Sequence, residues 1–422
     1  PWLGLPFLNR TPEPKTECLV LSGGGSRACF QLGALTYLYD EVGIAPTLFS
    51  GTSAGSMLAA GLAQSADPSQ QREILSNLTE IWFAQKQQSD MFTPQPWFEL
   101  LQERAPEWLG LMRPAEVPSW LPWQRETPEP HPAKPTAAEL RKLAGKPLPE
   151  TTDWQWTPAL AMQLMSILPR AGKIGGDLGR ILSGADATRS MYRPGPMLAQ
   201  LLDPEVFDPN RVASAGTELR IAFVGLGSGE LRYMRQDGRL TDRDNELVSN
   251  EQFNLADGVH ASCSIPAVFP PVQIGDDWYI DGGVRENLPA EIAIGHLKAD
   301  RTWVIVCAPA GVEPETGYDE RGLPAIAART TSILTDESLR DEVAYARTAG
   351  AFVIEPEVNV HDAITVEPAL IRINYDYGWM RAALVQSQGM GEHNDTVNRI
   401  ISCRIAAWKV ENRPETDWEE LR

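Results

Sequence analysis

The sequence predicts an α/β fold with a mainly parallel central sheet flanked by helices, and three observations carry that expectation. Residues 18–21 and 47–50 are short apolar runs of the kind that form buried strands. After the first run, Phe30, Ala34, Leu35, Leu38 and Val42 recur at helical spacing, and Gly43 stands where a helix would end in a left-handed turn. A second helix, rich in small residues, follows the second run over 54–64. Strand–helix–strand–helix order needs crossover connections, and these make neighbouring strands parallel.

Later segments extend the sheet. Residues 219–224 and 231–234 flank a glycine-rich connection and predict a hairpin. Residues 278–280 form a short strand that stops at Asp281-Gly282-Gly283, and 302–307 and 351–354 complete the set. From about residue 380 the tail reads as helical, with Ile400, Ile401, Ile405 and Ala406 on one stripe. The stretch from about 88 to 201 differs. It holds Trp97, Trp108, Trp120, Trp123, Trp154 and Trp156, six of the 13 tryptophans, and a run with Pro128, Pro130, Pro132 and Pro135. Its weak periodicity predicts a cap insertion over the sheet without strands of its own. The expected organisation is a loose N-terminal arm (1–14), a catalytic domain (15–310) carrying the insertion, and a C-terminal extension (311–422) packed on it.

Composition narrows the function. Of 422 residues 43% are hydrophobic, enough for a sizeable core. The formal charge of −19 argues against nucleic acid as a partner and against broad adhesion to anionic lipid. The five cysteines form no CxxC pair and the five histidines are scattered, so reduced, packed thiols and no metal site are expected. No cofactor is indicated. No run of ~18 apolar residues marks a membrane-spanning helix. Residues 1–14 lack the charged-then-apolar pattern of a secretory signal. A cytoplasmic protein, peripheral at membranes, is the expectation; the chain lacks an initiator Met, so secretion stays open.

Three constellations carry chemistry. Gly51-Thr52-Ser53-Ala54-Gly55 matches G-x-S-x-G at a strand-to-helix junction. Small residues there let the backbone turn sharply and lift the Ser53 hydroxyl clear, and the following helix points its N-terminus at the reacting centre. Gly23-Gly24-Gly25-Ser26-Arg27 lies between the first strand and its helix, where bare N–H groups make an anion nest. Alone it would serve a phosphate as well as an oxyanion, but beside the serine elbow an oxyanion hole is the better reading. Asp281-Gly282-Gly283 is in isolation a turn former; it gains meaning by ending a strand of the sheet that carries the other two.

These elements, in this order, resemble the patatin-like phospholipase family. Further likeness lies in the run from Ala261 to Pro271, in Tyr279-Ile280-Asp281-Gly282-Gly283-Val284, and in Asn287-Leu288-Pro289. The resemblance covers residues 18–62 and 217–308, leaves out the insertion, and is weak over the tail. It implies a Ser53–Asp281 dyad with no catalytic histidine, an oxyanion hole from the Gly23–Gly25 backbone with Arg27 beside it, and lipid esters of the phospholipid or lysophospholipid type as substrate. The insertion's tryptophans have two readings of their own: they close a cap core, or their amphipathic indoles make transient contact with a membrane surface. One departure is Ala28, where the family usually has glycine. Two competing readings remain. A Ser-His-acid triad would draw on His260, His296, His361, His393 or His131. A catalytically inactive lipid-binding protein could share the fold.

Overall fold

The computed structural model describes residues 16–111, 175–312, 314, 316–317, 323–387 and 391–411; the N-terminal arm and most of the insertion lie outside the described residues. The chain enters at β1 (Glu17–Leu21) and turns through Gly25–Arg27 into α1 (Ala28–Tyr37), which runs on for a wide turn to Val42. Gly43, at φ 70°, ends it in the left-handed conformation expected of a C-terminal glycine. β2 (Leu48–Thr52) leads through Ser53 into α2 (Ala54–Leu62), and α3 (Pro68–Phe83) follows, N-capped by Asp67. The insertion contributes β3 (Phe92–Pro94), α4 (Pro96–Leu111), α5 (Gly175–Thr188), β4 (Tyr192–Pro194) and α6 (Pro196–Leu201). After α7 (Pro209–Ser214) come β5 (Glu218–Gly225), β6 (Leu231–Arg235), β7 (Leu240–Thr241), α8 (Leu255–Ser262), β8 (Val272–Ile274), β9 (Asp277–Asp281) and β10 (Arg301–Ile305). The C-terminal extension holds α9 (Leu323–Thr348), β11 (Phe352–Ile354), α10 (Pro368–Gln386) and α11 (Gly391–Glu411).

One nine-stranded sheet runs in the order β11-β10-β1-β2-β5-β6-β7, with β9 added to β5 and β8 to β9. Its first five strands are parallel. β1 is buried along its whole length, which explains why it reads as a continuous apolar run instead of an alternating one. The predicted hairpin is the antiparallel β5–β6 pair.

β9 departs from the expectation. Asp281 does not end a strand parallel to β2. β9 runs antiparallel to β5, pairing Tyr279 with Gly225 and Asp281 with Phe223. β2 uses the same edge of β5 up to Thr52, opposite Ala222, since β6 occupies the other edge. The two strands therefore run toward each other along one edge and stop one residue apart.

Helices cover both faces. α1 crosses α10 so closely that a Cβ on Gly33 would run into the Tyr375 carbonyl and one on Gly378 into that of Phe30. On the opposite face α9 lays Leu339, Val343 and Ala346, spaced i, i+4 and i+7, onto Val20, Val304 and Leu288. The tail differs from its reading: α10 begins at Pro368, well before residue 380. On α11 Ile401 is buried but Ala406 is exposed, so the stripe is narrower than its spacing implied.

The insertion also departs from its reading, because it does hold strands. β3 and β4 pair antiparallel, Phe92 opposite Pro194 and Pro94 opposite Tyr192. Three residues each, both ending in proline, are too short to show alternation. Trp97 is buried and donates from Nε1 to Thr188 Oγ1 (2.9 Å) and the Ser190 carbonyl (3.1 Å), so it closes a cap core. The other five insertion tryptophans lie among residues whose side chains are outside the description.

Gly378→Ala is expected to destabilise the fold by about 1–3 kcal/mol, since the methyl must push backbone apart. Gly179→Ala, where a Cβ meets nothing within 4 Å, should stabilise by roughly 0.5–1 kcal/mol. Urea unfolding of the two variants checks both signs.

Candidate active site

The backbone at Ser53 is held in an unusual state, φ 52° and ψ −129°, which a non-glycine residue adopts only under constraint. The constraints are visible. The Ser53 N–H donates to Ser262 Oγ (2.9 Å), whose hydroxyl donates to the Ala222 carbonyl (2.7 Å). The Ser53 carbonyl accepts from both the N–H (2.8 Å) and the hydroxyl (2.6 Å) of Ser56. Gly51 and Gly55 are glycine for space. A Cβ on Gly51 would sit 2.5 Å from the Gly55 carbonyl oxygen, and one on Gly55 would sit 2.5 Å from the Ser22 carbonyl oxygen. The elbow is thus pressed against β1, and α2 starts at the next residue, its unpaired N-terminal amides favouring negative charge at Ser53.

Asp281 arrives from the other direction, and the Ser53 side chain lies close enough to act on its carboxyl. Its Oδ1 also accepts from the Gly283 N–H (2.8 Å). Gly282 packs against the Ala222 carbonyl and Thr52, where a Cβ would meet the Thr52 methyl at 3.0 Å. Burial pushes the Asp281 carboxyl up to about 6, and the neighbouring Ser53 side chain and the Gly283 N–H oppose that rise without cancelling it.

The glycine loop lies across from the pair. A Cβ on Gly23 would sit 3.1 Å from Ser53 Cβ and would also strike the Asn287 side chain. Gly25 has φ 57° and is pressed on the Ala363 carbonyl. The amides of the loop are not equivalent. Gly23 donates to Asn287 O (2.9 Å), Ser26 to Ala363 O (2.9 Å) and Arg27 to Gly24 O (3.2 Å). Gly24 and Gly25 are left with N–H groups that have no acceptor among the described residues. The Arg27 side chain points to Asn359 Oδ1 (3.4 Å), not to Ser53. Ala28 lies at φ −61° and ψ −13°, ordinary helical backbone in which a methyl is not strained.

Ser53 lines a narrow cleft whose free space is about 30 Å³. The walls are almost wholly apolar. Met57, Trp82, Ile265 and Phe269 come from the sheet-bearing part, and Met91, Phe92, Met197, Leu198 and Leu201 from the two ends of the insertion.

None of the described histidines is hydrogen-bonded to Ser53. His361 is buried beside Ser26 Oγ (3.4 Å) and Asn374, and burial pushes it down to about 4, which leaves it neutral. His260 is also pushed down by burial, and its Nε2 has no partner in the structure. His296 and His393 are exposed, and His131 lies outside the described residues. Among the described residues no cluster of His, Cys, Asp and Glu could hold a metal ion. Ser262 and Asn287 are the residues that sequence reasoning left without a role. Both lie in blocks that carried the resemblance, but only three-dimensional contact distinguishes them from their neighbours.

Fold and site together define an α/β protein with a buried serine–carboxylate pair facing a glycine-lined loop. The chain belongs to the patatin-like phospholipase family, a family of lipid hydrolases, whose model matches residues 19–294. No curated protein matches it. Among solved structures it is similar to VipD from Legionella pneumophila (16% identity, 89% of this chain and 67% of that one, TM-score 0.39). It is also similar to the type III effector ExoU (14% identity, 93% of this chain, TM-score 0.27), and spans 54% of that chain's length. ExoU in its complex with SpcU from Pseudomonas aeruginosa gives 16% identity over 93% of this chain and 52% of that one, with a TM-score of 0.27. No helix of the described residues is long and apolar enough to cross a membrane.

The raised Asp281 pKa has a consequence for stability. A carboxyl that titrates higher in the folded than in the unfolded chain stabilises the fold fully below the unfolded value, and that contribution is lost as pH rises through the folded value near 6. Asp281→Asn keeps an acceptor and removes the charge. It should therefore be more stable than wild type at pH 7, by on the order of 2 kcal/mol, with the difference shrinking toward pH 4. Denaturant titrations of both proteins at the two pH values measure this.

Proposed function

We propose that this protein is a lipid acyl hydrolase that cleaves carboxylic esters of phospholipids or lysophospholipids through a Ser53–Asp281 dyad. The observation that carries the reading is the convergence of Ser53, just past the end of β2, with the buried carboxylate of Asp281, at the end of β9, beside an apolar cleft that Ser53 lines. A serine hydroxyl needs a base to become a nucleophile, and a solvated aspartate is a weak one. Burial brings Asp281 closer to neutral pH and improves the match.

In this reading an acyl chain lies along the cleft, with its ester carbonyl over Ser53. Ser53 Oγ attacks the carbonyl carbon and its proton passes to Asp281. Negative charge develops on the carbonyl oxygen, and within the loop Gly23–Arg27 the amides of Gly24 and Gly25 are open to receive it. Collapse breaks the ester C–O bond. The leaving alkoxide takes the proton from Asp281, and the acyl group stays on Ser53. Water then repeats the sequence: it gives a proton to Asp281, adds to the acyl carbon, and releases the fatty acid as Ser53 recovers its proton. The insertion serves as the cap that supplies one wall of the cleft, so the reacting carbonyl is shielded from bulk water.

A fluorophosphonate probe should label wild type and fail on Ser53→Ala, and a mixed lipid panel should release fatty acid only with wild type. Absence of labelling in folded wild-type protein would favour an inactive lipid-binding role. Because Asp281 must be ionised to act, kcat should be lost as pH drops through about 6. Asp281→Asn should lower kcat by roughly 10³-fold or more, as loss of a base that works as a unit with its nucleophile does. Substituting His260 or His361 by alanine should leave a folded enzyme active.

A further inference from the structure

We propose that Glu342, on a helix beyond the family match, is a positioning residue for the active site: its carboxylate holds Asn287, and Asn287 holds the glycine loop and the turn after Asp281. The proposal rests on the Ser53–Asp281 reading and deepens it. Glu342 lies on α9, where Leu339, Val343 and Ala346 pack into the core beside Leu288 and Ala290. That packing sets residue 342 against the loop that follows Asp281. Its two carboxylate oxygens accept the N–H groups of Asn287 (3.2 Å) and Leu288 (2.7 Å), and Ser338 Oγ adds a third donor at 3.1 Å. Backbone N–H groups gripped by a charged acceptor make stronger bonds than neutral pairs do.

Asn287 then reaches the reacting groups in two ways. Its carbonyl accepts the Gly23 N–H at 2.9 Å, which fixes the start of the glycine loop. Its Oδ1 fills the space beside Gly23 and lies 3.2 Å from where a Cβ of Gly283 would be. A shift of Asn287 would therefore move the loop amides and the Gly283 N–H that steadies Asp281. Without Glu342, two buried N–H groups lose their acceptor, and the loop between Asp281 and Pro289 loses its tie to the helix.

The tie depends on ionisation. Burial pushes Glu342 up to about 7, against the pull of the Leu288, Ser338 and Asn287 donors. The charged and titratable groups around it are Asp341 and Tyr345 on its own helix, Arg285, Glu286 and Glu291 on the loop side, and Arg243 across the cleft. Glu286 is itself pushed up to about 8 by burial and accepts the hydroxyl of buried Tyr233. A proton on Glu342 removes the charge from its bonds to the loop, so positioning should weaken below neutral pH.

The test is hydrolysis of a soluble short-chain aryl ester across pH 5–9, with hydrogen exchange of the Asn287 and Leu288 amides read on the same proteins. Glu342→Ala should lower kcat on the order of 10- to 100-fold, the size of effect that a displacement near 1 Å produces, with little change in KM. The two amides should exchange faster. Glu342→Gln, nearly the same shape, keeps one acceptor and decides the matter if the alanine variant folds poorly. Its kcat should fall less, and its acid limb should simplify to one proton centred near 6, where wild type loses activity more steeply from a higher pH. Wild-type kcat and an unchanged pH profile in the glutamine variant would overturn the positioning role alone. A wild type with no Ser53-dependent turnover would remove the dyad and this role with it.

Discussion

The geometry of the site depends on two strands that share one edge of a third. β2 climbs along β5 and ends at Thr52, opposite Ala222; β9 descends along the same edge and ends at Asp281, opposite Phe223. Neither strand can lengthen without colliding with the other, so the residue after β2 and the last residue of β9 must meet. The backbone strain at Ser53 follows from this meeting. The chain has to leave the sheet at once, and the φ of 52° is the form its exit takes. Such strain costs on the order of 1–3 kcal/mol. The bonds to Ser262 and Ser56 and the tight seating of Gly51 and Gly55 offset it. The elbow is therefore a product of the sheet, not only of a five-residue pattern.

The same burial has two further effects. Water is excluded from the buried Asp281 carboxyl, and that exclusion lifts its pKa. The four buried cysteines behave consistently: burial pushes Cys18, Cys29, Cys263 and Cys307 all upward, so none is a competing thiolate nucleophile beside Ser53.

What could be read from the amino-acid sequence was what local sterics dictate. The serine elbow, the glycine loop, the wide-ranging α1 with its terminal Gly43, the β5–β6 hairpin and the parallel core each leave a short-range mark. The direction of β9 does not, because three apolar residues before an aspartate look alike in either orientation. The strands β3 and β4 were hidden for a similar reason, being three residues long and ended by prolines. The roles of Ser262 and Asn287 depend on partners far away in sequence, namely Ser53, Ala222 and Gly23. A serine in a small-residue run and an asparagine in a turn carry no local sign of such partners. The division into an arm, a catalytic domain and an extension is more porous than composition suggested: Ala363 props Gly25 and Ser26, although it lies well past residue 310.

The antiparallel pairing of β3 with β4 gives the insertion a narrow neck. Chain leaves the body at Phe92, comes back at Pro194, and the two ends are stitched to each other and to Ala267 and Val268 by backbone bonds. A neck of this kind isolates the frame from whatever it carries. Among the described residues of the insertion, Met91, Phe92, Met197, Leu198 and Leu201 face the cleft. The neck is therefore a natural junction for chimeras between relatives, because exchange at α4 and α5 leaves the paired strands and their bonds to Ala267 and Val268 in place.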